Sequence, residues 1–575
     1  MNIVLAAINA KYIHSNLAVY SLRAYAQQYK DEIQIAEYTI NQQIDDILMD
    51  LYKKKPDILC FSCYIWNLSY VEELVRELGK IFPSVPIWVG GPEVSYDTKD
   101  VLERLPEVTG VIFGEGEKTF LEVVEYYHGK DMQLSEIKGI AYRGEEGEFL
   151  QNSWREVMDL SEVPFVYHDM ADFKNKIIYY ESSRGCPFSC SYCLSSIDKC
   201  LRFRKLELVE KELQFFIDEE VPQVKFVDRT FNCNHKHAIA IWKYIKEHDK
   251  GITNFHFEVA ADLLNEEELK LIESMRPGLI QLEIGVQSTN EQTIREIRRT
   301  MRFEEVARIV QRINQGENVH QHLDLIAGLP YEGMESFQKS FDDVYRLHPE
   351  QLQLGFLKLL KGSYMNEKAK DYGCVCKGKE PYEVLGTKWL SYGEICRLKG
   401  IEDMVEVYYN SGQFCHTMKA MEGYFSDAFS MYETLADFYE KKGYFGISHS
   451  RIRRYEILME FLEEREVENL SYFKELMILD LYARENLKTR PVWAADRKAY
   501  KEKIQEFYTK EAEAPEVLQD YAGYQPKQLE KMTHLEIFSH NVPEGKAEKG
   551  SYPVLFDYRN RNPLTNDAAM HVVTL

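Results

Sequence analysis

The chain has 575 residues, of which 45% are apolar and 28% charged, and a formal net charge of -23. That length exceeds one core and predicts about three domains, and the composition is that of a globular protein, which excludes a disordered chain. The acidic balance argues against a broad phosphate-binding surface, and hence against nucleic acid as the main partner. Eleven cysteines in so long a chain do not make the dense pattern of a disulfide scaffold. No apolar run reaches the length of a membrane helix, and residues 1–8 lack a basic leader or cleavage site, so a cytoplasmic protein without a membrane span is expected.

Residues 1–135 alternate short apolar runs with amphipathic stretches, the pattern of a parallel sheet covered by helices on both faces. The runs 3–8, 33–38, 58–62, 87–89 and 110–113 are the expected strands. In such α/β folds a ligand lies across the carboxyl ends of the strands. Those ends here are Asn9-Ala10-Lys11, Ser62-Cys63-Tyr64, Gly90-Gly91-Pro92-Glu93 and Gly114-Glu115-Gly116-Glu117. Taken singly, each glycine also serves as ordinary turn punctuation. Residues 136–180 read as a connector, with a hairpin signal at Gly144-Glu145-Glu146-Gly147.

Residues 181–385 open on Arg184-Gly185-Cys186-Pro187-Phe188-Ser189-Cys190-Ser191-Tyr192-Cys193. Three thiolates in C-x3-C-x2-C spacing on one loop can ligate three irons of a cubane cluster and leave the fourth open. Structural zinc gathers four ligands, commonly as two pairs, and no second pair follows at the customary distance. Such a cluster is oxygen-sensitive, which points to an anaerobically living cell. About six strand-helix units follow, a partial barrel instead of eight. Their strands carry Asp228, Glu258, the run Glu283-Ile284-Gly285-Val286-Gln287-Ser288, and Asp324 ahead of Gly328-Leu329-Pro330. A carboxylate within an apolar strand needs a partner or ligand to offset desolvation. Cys200 and Cys233 lie outside the motif and read as bystanders.

Residues 386–575 turn to helical periodicity, notably over 417–439 and 452–464. Tyr408, Phe414, Tyr424, Phe429 and Tyr432 are candidates for a cavity lining, although aromatic stripes on helices are more often core. Cys374-Val375-Cys376 lacks nearby partner cysteines, and residues 553–560 read as a late strand.

The cysteine loop and the ordered strand motifs resemble the radical S-adenosylmethionine superfamily. Together with the first sheet they resemble the bacterial members that carry a cobalamin-binding domain ahead of the barrel and a domain of unknown function behind it. The resemblance implies a Rossmann-like cobalamin-binding domain, a partial (β/α)6 TIM-type barrel and a mainly helical C-terminal domain. It implies three cofactors: a 4Fe-4S cluster on Cys186, Cys190 and Cys193, S-adenosylmethionine near Tyr192, Glu283, Gln287 and Ser288, and cobalamin near Ser62, Gly90 and Gly91. The chain departs from cobalamin domains bearing D-x-H-x-x-G after the first strand, since it has Asn9-Ala10-Lys11-Tyr12-Ile13-His14 there. Cobalamin is therefore expected without that histidine ligand, and His14 reads as a packing residue.

The activity so implied is reductive cleavage of S-adenosylmethionine to a 5'-deoxyadenosyl radical, used to methylate an unactivated carbon. The expected partners are a small-molecule or natural-product substrate and an electron donor such as flavodoxin or ferredoxin. A methylthiotransferase-like enzyme, or a cyclase or rearrangement enzyme, is the alternative. A methylthiotransferase would need three further cysteines in the first domain, where only Cys60 and Cys63 occur. An electron-transfer or redox-sensing iron-sulfur protein would need a fourth cluster ligand.

Overall fold

The computed structural model describes residues 1–575. The chain divides into two compact units: Met1–Val319 with Ile326–Gly333 and Gly355–Ser391, and His320–Leu325 with Met334–Leu354 and Tyr392–Leu575. No helix is long and apolar enough to cross a membrane.

The first unit opens with a seven-stranded sheet. Its strands are β1 (Ile3–Asn9), β2 (Ile33–Thr39), β3 (Ile58–Ser62), β4 (Ile87–Gly90), β5 (Gly110–Ile112), β6 (Ile140–Arg143) and β7 (Phe149–Gln151), in the order β2-β1-β3-β4-β5-β6-β7. Every residue of β1 is buried, as a central strand covered on both faces requires. At the edge, β2 alternates buried Ile33, Ala36 and Tyr38 with more exposed positions. Helix Leu68–Ile81 turns Leu68, Val71, Leu74, Val75 and Leu78 inward at helical spacing. The first five strands are parallel, and Ser62 is paired with both Ala7 and Gly90. The ends of β1, β3 and β4 therefore open along one edge.

The expected connector is in part an extension of this sheet. β6 runs antiparallel to β5, and β7 to β6. The hairpin between them closes through Gly144 N to the Glu148 carbonyl at 2.9 Å. Burial of Ile140, Ala141 and Tyr142 supplies the driving force that their short run hides in the sequence.

The barrel strands begin at β8 (Ile178–Tyr180). The cysteine loop is closed at its base by β9 (Ser183–Arg184) and β10 (Arg202–Phe203), paired antiparallel with Arg184 opposite Arg202. β11 (Gln223–Phe226), β12 (Asn254–Val259) and β13 (Ile280–Gln287) continue in parallel order from β8. β14 (His320–Ala327) and β15 (Gln351–Phe356) bring the strands of this region to the expected six. Helices Leu206–Asp218, His235–His248, Glu266–Glu273 and Phe303–Asn314 alternate with them along the chain. Asn265 starts one of these helices with a capping box to Glu268. A short hairpin, β16 (Val375–Cys376) with β17 (Val384–Gly386), ends the unit.

The second unit is mainly helical, with helices Tyr392–Val405, Ala428–Lys442, Arg451–Glu464 and Leu470–Arg484. It also holds an antiparallel sheet of β18 (Thr533–His540), β19 (Lys549–Arg561) and β20 (Ala568–Val572). The expected late strand is the middle of β19 and pairs on both sides within this unit.

Candidate functional site

The cysteine loop is built to hold its thiols inward. Cys186 and Cys190 are buried, Cys193 is half-buried, and none is in a disulfide. Gly185 has φ +93°, and a Cβ there would lie 2.8 Å from the Cys200 carbonyl oxygen, so only glycine lets the returning strand cross the loop. Cys193 N donates to the Cys190 carbonyl at 3.2 Å, and Ser191 N to the Ile297 carbonyl at 2.9 Å. Burial, opposed by the Phe188 amide and Thr230 hydroxyl and assisted by the neighbouring Cys193 and Cys190, pushes the Cys186 thiol up. Three adjacent thiols without a fourth cysteine in the motif fit a cluster with one open iron.

Asp228 anchors the approach to this loop. Its carboxylate accepts from Ser182 N at 2.9 Å, Ser182 Oγ at 2.6 Å and Ser183 Oγ at 2.5 Å. Ser182 Oγ also lies 3.1 Å from His237 Nε2. Burial raises the Asp228 carboxyl to about 6 against these donors, and burial lowers His237 to about 4.

The other side of the loop is met by the turn after β13. Gln287 is 8% exposed, has φ +71°, and keeps its Oε1 buried without a hydrogen-bond partner. A left-handed backbone and an acceptor without a partner make Gln287 a candidate ligand contact. A Cβ on Gly285 would collide with the Gln287 amide and meet Arg299, which explains the glycine in this motif. Arg299, absent from the sequence expectations, lies 3.8 Å from Cys190 Sγ and 3.4 Å from Tyr192 Oη through Nη1. Burial, despite the Arg299 charge, holds the Tyr192 hydroxyl well above its usual range.

Glu283 sits four residues before Gln287 on the same face of β13. It accepts from Lys225 at 2.9 Å and lies 3.1 Å from His256. Burial works to raise its carboxyl, but His256 and Lys225 outweigh burial and hold it far below the ordinary range. Ser288 differs from Gln287: it is fully buried, donates to Glu332 at 2.6 Å and accepts from Asn290 N at 3.0 Å. Its hydroxyl shapes the turn. Cys233 is half-buried, with its thiol pushed up to about 11 chiefly by burial.

On the first sheet, Ser62 Oγ accepts from Asn16 Nδ2 at 3.2 Å. Gly91 has φ +119°, and a Cβ there would lie 2.5 Å from the Cys63 carbonyl oxygen. That glycine is demanded by the crossing of two strand-end loops. Cys60 and Cys63 are core residues with thiols pushed up to about 12 by burial. His14 Nδ1 lies 2.6 Å from Tyr179 Oη, and Ile177 N donates to the Ile13 carbonyl at 2.7 Å. The ring thus ties the first sheet's opening loop to β8. The fourth candidate loop also forms a tie, since Arg184 bonds Glu117 at 2.8 Å and Glu115 at 3.2 Å, and Arg202 bonds Glu115 at 2.7 Å. Arg184 precedes the cysteine motif directly, so these carboxylates brace the base of the loop.

Four of the five aromatic candidates of the second unit are core. Tyr408, Phe414, Phe429 and Tyr432 are buried, and Tyr424 is 42% exposed. Cys374 and Cys376 lie at the β16 hairpin, and burial pushes Cys374 up to about 11.

Comparison with known proteins agrees with this geometry. Residues 3–124 match the family model of the B12 binding domain, residues 180–344 that of the radical SAM superfamily, and residues 370–556 a protein family of unknown function, DUF4080. The chain is 24% identical over 396 residues to the cobalamin-dependent radical SAM methyltransferase TokK of Streptomyces tokunonensis, covering 63% of this chain and 56% of TokK. It is 21% identical over 328 residues to the anaerobic magnesium-protoporphyrin IX monomethyl ester cyclase of Rubrivivax gelatinosus, covering 54% and 58%. The chain spans about half the length of the curated relatives it matches. Among solved structures, the cobalamin-dependent S-adenosylmethionine radical enzyme OxsB shares the fold with a TM-score of 0.57 at 16% identity, covering 82% of this chain and 78% of OxsB. The matched domains imply a 4Fe-4S cluster and S-adenosylmethionine in the barrel and cobalamin on the first sheet. In chain order, then, a segment matching the B12 binding domain is followed by one matching the radical SAM superfamily and one matching DUF4080.

Proposed function

We propose that this protein is a radical S-adenosylmethionine enzyme that uses cobalamin to methylate an unactivated carbon of a small-molecule or natural-product substrate. The observation that carries this reading is the inward-facing loop of Cys186, Cys190 and Cys193, met through Arg299 from the strand that ends in Gln287, whose backbone is left-handed and whose buried Oε1 has no partner. When bound, the cluster and S-adenosylmethionine supply radical chemistry, and cobalamin supplies a transferable methyl group.

The chain's own residues bind and orient. Cys186, Cys190 and Cys193 hold three irons, while Asp228 fixes Ser182 and Ser183 at the entry to their loop. Tyr192 and Gln287 contact S-adenosylmethionine, with Glu283 placed by Lys225 and Ser288 shaping the turn. Ser62, Gly90 and Gly91 would help to hold cobalamin, which supplies the methyl group when bound. The domains are 1–135, the connector 136–180, 181–385 and 386–575, with β6 and β7 completing the first sheet from within the connector. The last domain selects the substrate. An electron donor such as flavodoxin or ferredoxin serves the cluster in the cytoplasm.

The test is anaerobic purification with cobalamin supplied during expression, cluster reconstitution, and assay of iron, sulfide and cobalt. One cluster and one cobalamin per chain support the reading; a cluster without cobalamin overturns the methyl-transfer half. The similarity to a cyclase favours radical cyclisation as the second reading. Product made without methyl label from S-adenosylmethionine would select it.

A further inference from the structure

Arg299 is a basic side chain that meets Cys190 and Tyr192 of the cysteine motif from outside it. It lies past helix Glu291–Glu296, in a link that also receives the Ser191 amide through Ile297. Nη1 approaches Cys190 Sγ at 3.8 Å and Tyr192 Oη at 3.4 Å, and Nη2 donates to the Gly285 carbonyl. Its Nε is buried without a hydrogen-bond partner. Asp262 is the carboxylate that interacts with this guanidinium, and burial disfavours the charged form of Asp262.

A cluster on three thiolates gains negative charge when it takes an electron. A fixed cation with an N–H aimed at one ligand sulfur therefore favours the reduced state, and hydrogen bonds to sulfur are among the protein's means of setting such a potential. Arginine suits this position because its guanidinium keeps its charge when buried and its planar fork is held by three separate groups.

We propose that Arg299 is a positioning residue that sets the reduction potential of the cluster by holding a permanent cation against Cys190. This rests on the reading of Cys186, Cys190 and Cys193 as cluster ligands. The step concerned is the transfer of one electron from an external low-potential reductant to the cluster, [4Fe-4S]2+ becoming [4Fe-4S]1+. No bond forms or breaks in the protein.

The experiment is a dithionite titration of the reconstituted full chain, followed by electron paramagnetic resonance, for the native protein and Arg299→Gln. With iron and sulfide content equal, the variant's reduction equilibrium is expected to shift about tenfold toward the oxidised cluster, about 59 mV more negative for one electron. An unchanged midpoint in a fully loaded variant overturns the proposal and leaves the proposed function standing. Failure of the native chain to assemble any cluster overturns both. Should Arg299→Gln lose its cluster, Arg299→Lys decides: it keeps the charge but not the fork, and a shift of about threefold in the same direction is expected. A Lys variant shifted tenfold or more, although its charge is kept, overturns the proposal.

Discussion

In the first unit, Gln287 keeps an acceptor buried without a partner at a left-handed backbone position, and Arg299 keeps a buried Nε bare. Several polar groups of the second unit are treated differently. Asp480 accepts from His416 N and Thr417 N at 2.9 and 3.0 Å and from Thr417 Oγ1 at 2.7 Å, capping helix Cys415–Glu422. Asn410 satisfies both backbone groups of Leu352 at 2.9 Å, and Tyr408 meets Tyr439 at 2.6 Å. A partnerless buried group is expensive and persists where something else will complete it. Buried atoms without a partner also occur in the second unit, at Gln413 Oε1 and Trp493 Nε1, but those of the first unit accompany the three-cysteine loop, and the networks named in the second unit are read as structural.

The sharpest way to break that comparison is to exchange cysteines between the regions. Cys190→Ala is expected to abolish cluster assembly, read as loss of iron, sulfide and visible absorbance. Cys396→Ala, at an exposed thiol of the second unit, is expected to leave all three unchanged. Retained iron in Cys190→Ala would remove the basis for placing the chemistry in the first unit.

A smaller effect separates the two cofactor faces within that unit. A Cβ on Gly90 would lie 3.2 Å from the Ile112 carbonyl oxygen, so a leucine side chain there projects from a crowded strand end. Gly90→Leu is expected to weaken cobalamin binding by about tenfold or more while cluster content stays the same, equivalent to about 1.4 kcal/mol. Equal cobalamin affinity by equilibrium dialysis would count against this edge as the binding face.

Much of this was legible in the sequence, for identifiable reasons. Parallel strands covered on both faces read as apolar runs, so β1, β3 and β4 stand out, and the cysteine spacing is local. Arg299 was hidden because it reaches Cys190 across 109 residues, and no local pattern announces a tertiary approach. Ser288 was within reach of the sequence: Glu283, Gly285 and Gln287 share one face of β13 by strand parity, and Ser288 follows the strand's last residue. β18 was obscured because buried His534, Glu536 and His540 interrupt its apolar pattern. Glu536 is held by Arg490 and His534, partners visible only after folding.

Acid titration sharpens the comparison inside the barrel, where two carboxyls are shifted in opposite senses. Asp228 is raised by burial from 3.8 to about 6, so the folded state holds its proton more tightly than the unfolded chain. Its contribution to stability is full below about pH 4 and falls as pH rises toward 6. Glu283 is depressed against burial by His256 and Lys225, so its contribution is present above the unfolded value of 4.5 and falls as pH drops toward its folded one. Asp228→Asn is expected to remove the loss between pH 4 and 6 while keeping the Glu283 limb, as read from urea unfolding at a series of pH values. A variant that keeps the native slope between pH 4 and 6 would show that Asp228 is not the group titrating there.

The smallest expected effect probes the second unit alone. The Tyr408 hydroxyl lies 2.6 Å from that of Tyr439 and 3.2 Å from the Arg454 carbonyl, with both tyrosines buried. Tyr408→Phe preserves the ring that packs on Phe414 at 4.7 Å between centroids and removes only these hydrogen bonds. A buried hydrogen bond contributes about 1 kcal/mol net, and leaving its partners unsatisfied costs about 1–3 kcal/mol. Unfolding of the second unit is therefore expected to become easier by about 1–2 kcal/mol, with iron, sulfide and cobalt content unchanged. Loss of cofactor on removal of this hydroxyl would mean that the satisfied network serves the cofactors after all, and would dissolve the distinction between the two units.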